Sequence, residues 1–169
     1  MKPGKILIAA LAALLFAGIP ALSAQERDST AVLADSLINY AMKYKGTPYR
    51  LGAVGPREFD CSSFVRHVYA GIGIDLPRYT WTQIKAGREV SRIHDLQKGD
   101  LVFFGKKRGV RDIGHIGIVV EMDPVHSDFL FIHCGTSSGV ELRHYSYPYF
   151  LMRYITARRI LPDIPLEEY

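Results

Sequence analysis

The spacing of apolar residues divides the chain into a first half that predicts helices and a second half that predicts strands. Apolar side chains recur every three or four positions from about Thr30 to Lys45 and again after Cys61. This is the pattern of helices that bury one face. The pattern Thr80-x-x-Gln83 is a capping box, which predicts a third, short helix that ends near Gly87.

Five runs in the second half are short, rich in β-branched and aromatic residues, and separated by turn residues, so they predict strands. They cover residues 100–105, 115–122, 129–135, 139–146 and 154–161. Helices followed by strands in this order predict an α+β domain whose helices pack on an antiparallel sheet. The polar stretch 25–30 and the tail 162–169 are expected to pack loosely.

The first residues have the pattern of a secretory signal peptide. Lys2 and Lys5 are basic, residues 6–19 are apolar, and Ala24 follows a stretch of small residues suited to cleavage. The apolar run is shorter than the roughly 20 residues of a membrane span. We therefore expect export, to the periplasm in a Gram-negative host and otherwise to the cell surface or medium, with no membrane span after cleavage.

Cleavage after residue 24 leaves 145 residues, which suits one domain over 25–169. The formal net charge of +4 includes two leader lysines, so the mature chain is only mildly basic. Basic runs interleaved with aromatic residues are absent from the sequence, which argues against a nucleic-acid partner. We expect a monomer.

Cys61 is the first candidate for chemistry, because the first turn of a helix favours a thiolate over a thiol. The alternatives are a buried small residue, half of a disulfide with Cys134, or a zinc ligand. Neighbouring strand residues point to opposite faces of a sheet, so if His133 faces Cys61, then Cys134 points away. This argues against both the disulfide and a zinc site that uses these residues.

A cysteine nucleophile needs a base, and the base needs an orienting group. His115 begins one predicted strand and His133 nearly ends the next. If the chain folds back near Pro124, the two imidazoles become close cross-strand neighbours. Gly117, on the same strand face as His115, either leaves space for a thiolate or substrate, or relieves crowding in the sheet.

Five segments in order resemble the NlpC/P60 family of papain-like cell-wall cysteine peptidases: "GTPYRLGAVGPREFDCSSFVRHVY", "LPRYTWTQ", "LQKGDLVFF", "GHIGIVV" and "FIHCGTSSGV". The resemblance implies a papain-like fold and hydrolysis of amide bonds in peptidoglycan stem peptides, without a metal or organic cofactor. It places the nucleophile at Cys61, the base at His115 and the orienting residue at His133. The Tyr49 hydroxyl would lie near the thiol.

The chain departs from this family pattern at two positions. Ser63 stands where the family has glycine, which could narrow the space behind the nucleophile, and Cys134 stands where it has alanine or another small residue. Neither change removes a catalytic group.

The sequence leaves the substrate contacts and the exact reaction open. Arg50 and Arg78 could bind substrate carboxylates, and Trp81 could line the cleft, with surface or core roles as alternatives. The bond cut would join D-glutamate to diaminopimelate within a stem, or D-alanine to diaminopimelate at a crosslink. An amidase or acyltransferase on the same frame and a non-catalytic wall-binding module are the alternative functions.

Overall fold

The structure is a computed structural model that describes residues 24–109 and 112–162, with side chains from Ser29 onward. Residues 1–23, which carry nearly all of the predicted signal peptide, lie outside the described residues, as do residues 163–169 of the tail. Within the described ranges, no helix combines the length and the apolar character needed to cross a bilayer.

Helices dominate the first part of the described chain, and strands dominate the second. The helices are α1 (Ala24–Met42), α2 (Cys61–Ala70), α3 (Thr80–Gln83) and α4 (Pro148–Leu151), with a 3-10 turn at Ile93–Asp95. The strands are β1 (Arg88–Val90), β2 (Leu101–Gly105), β3 (Ile113–Asp123), β4 (Asp128–Gly135), β5 (Gly139–His144) and β6 (Tyr154–Arg159). The predicted α+β class is confirmed.

All six strands form one antiparallel sheet in the order β1-β6-β2-β3-β4-β5. In the β3–β4 hairpin, His133 pairs with Gly117, and the register shifts by one residue after Val119. His115 therefore lies two residues from the position opposite His133. The two histidines are diagonal neighbours on one face of the sheet, which still allows contact between long side chains.

The sheet buries apolar side chains on both faces. On one face, α1 and α2 pack through Leu37, Phe64 and Val68 onto a cluster that includes Ile116 and Cys134. The other face carries a separate aromatic cluster, built from Phe104, Phe129, Phe131, Tyr145 and Phe150. Because strand side chains alternate, neighbouring residues of β3 and β4 contribute to different clusters.

Two expectations about the helices are wrong. Residues 25–30 belong to α1 instead of a loose start, because Thr30 and Ala34 already lie on the buried face of that helix. Thr80 and Gln83 do not form a capping box, since α3 begins after Tyr79 without a side-chain cap. Gln83 is instead fully buried and donates hydrogen bonds to two backbone carbonyls, those of Ser62 and Pro77.

The helix α3 also ends after Gln83 rather than near Gly87. Three short elements were missed from the sequence: β1, the 3-10 turn and α4. Each spans only three or four residues, which is too short for a repeat of apolar residues to be recognised.

Candidate active site

The start of α2 is held by a reciprocal hydrogen-bonded cap that positions Cys61 as its first residue. The Asp60 carboxylate accepts from the Ser63 N–H at 2.8 Å, and the Ser63 hydroxyl accepts from the Asp60 N–H at 2.9 Å. Such a cap satisfies backbone donors that a helix start leaves unpaired. Ser63, which departs from the family pattern, therefore has a local role in fixing the helix that carries Cys61.

Arg78 reinforces this cap from outside the helix. Its guanidinium donates to both carboxylate oxygens of Asp60, at 2.6 and 3.1 Å, and to the Ser62 hydroxyl at 2.9 Å. Burial disfavours the Asp60 charge, but the hydrogen bonds from Arg78, Ser63 and Ser62 outweigh it and lower the pKa of that carboxyl. These contacts occupy much of the Arg78 guanidinium. Its role in binding substrate carboxylates stays a prediction.

The Cys61 thiol is buried, with 9% of the residue exposed. Burial and the neighbouring Asp60 carboxylate raise the pKa of this thiol to about 11. The Thr80 hydroxyl and the backbone N–H groups of Ser62 and Ile116 contact the sulfur and act in the opposite direction. The expectation of a thiol pKa below the free value is therefore wrong, because desolvation outweighs the contribution of the helix start.

The two histidines predicted to work together are in direct contact. His115 Nε2 and His133 Nδ1 are 2.9 Å apart, and their rings are nearly perpendicular. Burial lowers the pKa of His115 to about 3, with a further contribution from His133. Burial and the nearby Arg143 lower the pKa of His133 to about 4. Both imidazoles are therefore neutral at neutral pH.

The histidine rings lie on the sheet face opposite α2. Phe150 contacts both rings, and Phe104 and Phe131 each contact one of them. Cys61 reaches strand β3 from the α2 side, at the backbone N–H of Ile116, the residue that follows His115. Within the described chain, no hydrogen bond joins the Cys61 thiol to His115. Catalytic hydrogen bonds are often long in a free enzyme and tighten when substrate binds.

The condition under which Cys134 would point away from Cys61, that His133 faces Cys61, is not met. The Cys134 side chain belongs to the cluster under α2, with its thiol 3.5 Å from the Phe59 carbonyl. His133 is the residue that points to the opposite face. Cys61 and Cys134 are nevertheless both free thiols. Cys134 is therefore a small residue of the core, which is one of the roles that the sequence left open for a cysteine.

Gly117 does not leave space for a thiolate. A methyl group at this position would lie 2.6 Å from the Phe131 ring and 3.1 Å from the Ile132 carbonyl oxygen. The aromatic cluster fills the space beside His115, so relief of crowding in the sheet is the correct interpretation of this glycine.

A cavity of about 460 Å³ opens beside the histidine pair, on the face away from α2. Its walls include both histidines, cationic and anionic side chains, and the aromatic residues of α4 and the segment before it. The main side chains are Lys106, His115, His133, Glu141, Arg143 and Tyr149. Apolar walls with a few convergent polar groups are typical of a site for a small polar ligand.

The remaining predicted site residues lie outside this cavity. Tyr49 is half-buried within electrostatic reach of Cys61, and burial together with the Cys61 charge raises the pKa of its phenol. Arg50 is exposed and pairs with Glu58 at 2.5 Å. Trp81 is 60% exposed and stacks on Tyr79, with ring centroids 4.4 Å apart.

Sequence reasoning missed Glu141, a cavity residue whose carboxylate lies 3.7 Å from His133 Nε2. A signal was present, because the short turn between Gly135 and Gly139 sets the β4–β5 register and places Glu141 directly opposite His133. Thr80 was named only for a cap, although its side chain contacts the Cys61 thiol.

A cysteine at a helix start and a histidine pair on the adjoining sheet are the groups that cysteine peptidases use, and the comparisons with known proteins place the chain in that class. Within that class the chain belongs to the NlpC/P60 family, whose model matches residues 46–159.

Two relatives and one solved structure illustrate the match. The chain is 39% identical over 119 residues to murein DD-endopeptidase MepS/murein LD-carboxypeptidase of Escherichia coli (strain K12), covering 70% of this chain and 58% of that protein. It is 33% identical over 138 residues to gamma-D-glutamyl-L-lysine dipeptidyl-peptidase of Bacillus cereus, covering 81% of this chain and 39% of that protein.

The crystal structure of an NlpC/P60 family protein from Bacillus cereus superposes with a TM-score of 0.68 at 33% identity, covering 76% of this chain and 40% of that chain. The match with each of these proteins thus spans less than two thirds of its own length.

Proposed function

We propose that the protein is an exported cysteine endopeptidase that hydrolyses amide bonds in the stem peptides of peptidoglycan. Cys61 is the nucleophile, His115 the base and His133 the residue that orients it. The observation that carries the proposal is the 2.9 Å contact between His115 and His133, at the point of β3 where the Ile116 N–H meets the Cys61 thiol.

The reaction begins from a neutral thiol and a neutral imidazole. As the Cys61 sulfur attacks the amide carbonyl carbon, His115 takes the thiol proton, so a charged pair forms only during attack. The Cys61 backbone N–H and the Tyr49 hydroxyl donate to the oxyanion that develops.

His115 then gives its proton to the leaving amine as the carbon–nitrogen bond breaks. Water hydrolyses the thioester with His115 again acting as the base, and the thiol is restored.

Stem peptides carry carboxylates and amines, which suits the mixed charges of the cavity wall. Lys106 and Arg143 provide cationic groups there, and Glu141 an anionic one. The relatives' names point to two different bonds, one at a DD crosslink and one next to D-glutamate. We propose cleavage within one of these two classes of bond.

Mass spectrometry of muropeptides after incubation with residues 25–169 tests the proposal. The substrates are an uncrosslinked stem monomer and a crosslinked dimer. Cleavage of the monomer next to D-glutamate identifies a stem-trimming enzyme, and cleavage of the dimer alone identifies a crosslink-opening enzyme. Release of the sugar portion from the intact stem peptide would instead identify an amidase.

Cys61→Ala is the decisive variant, and Cys134→Ala is its matched control, because both thiols are buried and free. We expect Cys61→Ala to abolish cleavage and Cys134→Ala to keep most of it. If Cys61→Ala cleaves as well as the unchanged protein, or if neither substrate changes while the protein still binds the wall, the peptidase proposal fails.

Export is proposed on the basic and apolar pattern of residues 1–24. Expression of the full chain in a Gram-negative host, followed by fractionation and N-terminal sequencing, tests it. A periplasmic product that begins near residue 25 is expected. A full-length product retained in the cytoplasm would contradict the proposal.

A further inference from the structure

We propose that Glu141 is a positioning residue, which fixes the tautomer of His133 and through it the nitrogen of His115 that acts as the base. The catalytic part of this inference rests on the proposed function. The structural part concerns the protonation of two side chains and stands on the contacts alone.

The arrangement consists of three side chains in a row. His115 Nε2 lies 2.9 Å from His133 Nδ1, and His133 Nε2 lies 3.7 Å from a carboxylate oxygen of Glu141. The His133 side chain is only 3% exposed, and its Nε2 is a buried polar atom that has no hydrogen-bond partner among the described residues. A shift of about 0.8 Å would bring Glu141 to the usual hydrogen-bond length of about 2.9 Å.

The chemistry of the carboxylate decides where the protons lie. An ionised carboxylate can only accept a hydrogen bond, so the His133 nitrogen that faces Glu141 must carry the proton. A neutral imidazole has one protonated nitrogen, so His133 Nδ1 is an acceptor and receives the Nε2–H of His115. His115 Nδ1 is then left with a lone pair, and it is the nitrogen that can take the Cys61 proton.

Glu141 is itself held in place for this role. Arg143 donates to one carboxylate oxygen at 2.7 Å, and the Ser138 hydroxyl donates to the other. The β4–β5 pairing places Glu141 directly opposite His133, and its side chain is 21% exposed. These contacts hold the carboxylate beside His133, as is typical of a group that orients another.

Glu141 also favours catalysis through charge. As the Cys61 proton moves to His115, positive charge develops on the histidine pair in a buried site. A carboxylate at the far side of His133 stabilises that charge in the transition state more than in the neutral ground state. Its removal should therefore lower kcat with little effect on KM.

The test compares Glu141→Leu and Glu141→Gln with Glu121→Gln, a matched control on an exposed position of β3. The first readout is the ¹⁵N spectrum of the histidine ring nitrogens, assigned with the His133→Gln variant. In the unchanged protein we expect His133 to be a single tautomer, protonated at Nε2. Leucine should abolish that preference, whereas the glutamine amide oxygen can still accept and should preserve it.

The second readout is kinetic, with the muropeptide substrate that the protein cleaves. We expect Glu141→Leu to lower kcat about tenfold or more at unchanged KM, since the carboxylate that would accept the His133 Nε2–H during catalysis is lost. Glu141→Gln should lower kcat less, because it loses only the charge. Glu121→Gln should match the unchanged protein in both readouts.

Three results would overturn the inference: a His133 that is protonated at Nδ1 in the unchanged protein, a tautomer that survives Glu141→Leu, or a rise in KM alone. The last would make Glu141 a substrate-binding residue. If instead Cys61→Ala stays active while the tautomer follows Glu141 as expected, the peptidase proposal fails and the positioning of His133 stands.

Discussion

Replacing Arg78 by leucine should destabilise the protein through Asp60, the carboxylate that caps α2. The substitution removes both hydrogen bonds to Asp60 and one to the Ser62 hydroxyl. Asp60 would remain nearly buried, with 9% of its side chain exposed. Its remaining partners, among them the Ser63 N–H and the Ser62 hydroxyl, are neutral groups.

The size of the effect follows from the burial of the two partners. Removing one member of a buried ion pair costs about 3–5 kcal/mol, because the other charge is left unpaired. The Arg78 side chain is 21% exposed, so solvent already screens part of this interaction. We expect a loss of about 2–3 kcal/mol in the free energy of unfolding at pH 7, or about 5–10 °C in Tm.

The loss should depend on pH. With Arg78 present, the pKa of Asp60 is lowered in the folded protein, so its ionised form adds stability above the ordinary carboxyl pKa. This stability is lost as the pH falls through the lowered pKa. Without Arg78, burial dominates and the pKa of Asp60 should rise, so the unpaired charge destabilises the fold at pH 7 and is neutralised near pH 3.

Urea denaturation of the unchanged protein, Arg78→Leu, Asp60→Asn and the double variant at pH 7 and near pH 3 measures both effects. The double variant should lose less stability than the sum of the two single variants. Arg50→Leu is the matched control, since its exposed pair with Glu58 should contribute less than about 1 kcal/mol. Equal losses for Arg78→Leu at both pH values, or additive single variants, would refute the reasoning.

Two further predictions concern the candidate site. In the free protein, Cys61 should be alkylated by iodoacetamide at a rate that rises through the alkaline range towards its raised pKa of about 11; a plateau below pH 7, measured by mass spectrometry, would show a preformed thiolate. Gly117→Ala should cost about 1–3 kcal/mol in urea denaturation, because its methyl group would meet the Phe131 ring at 2.6 Å; an unchanged midpoint would contradict this.

The parts of the fold that could be predicted from the sequence are those with a strong apolar period. The start of α2 at Cys61 and the five predicted strands follow from local pattern, and the structure contains them. The contact between His115 and His133 was also expected, since it needs only a short hairpin between β3 and β4. The family resemblance was confirmed by the match over residues 46–159.

The parts that could not be predicted depend on packing between distant segments. Strand alternation separates His133 from Cys134 correctly, but it does not say which of the two faces receives α2. The capping box failed for a similar reason, because Gln83 is buried against Ser62 and Pro77 and its side chain is used there. Arg78 reaches Asp60 across 18 positions of the sequence, and no local pattern marks such a contact.

The pKa of Cys61 shows how burial can reverse a local expectation. A helix start contributes at most about 2 kcal/mol towards a thiolate, whereas a rise from 9.0 to about 11 corresponds to about 3 kcal/mol against it after all contributions are combined. The same burial keeps His115 neutral, so in the proposed mechanism a thiolate–imidazolium pair forms only as the sulfur attacks the substrate carbonyl. A neutral thiol also resists oxidation better than a thiolate. For an enzyme exported as proposed, a buried and protonated thiol is therefore consistent with keeping Cys61 reduced between turnovers.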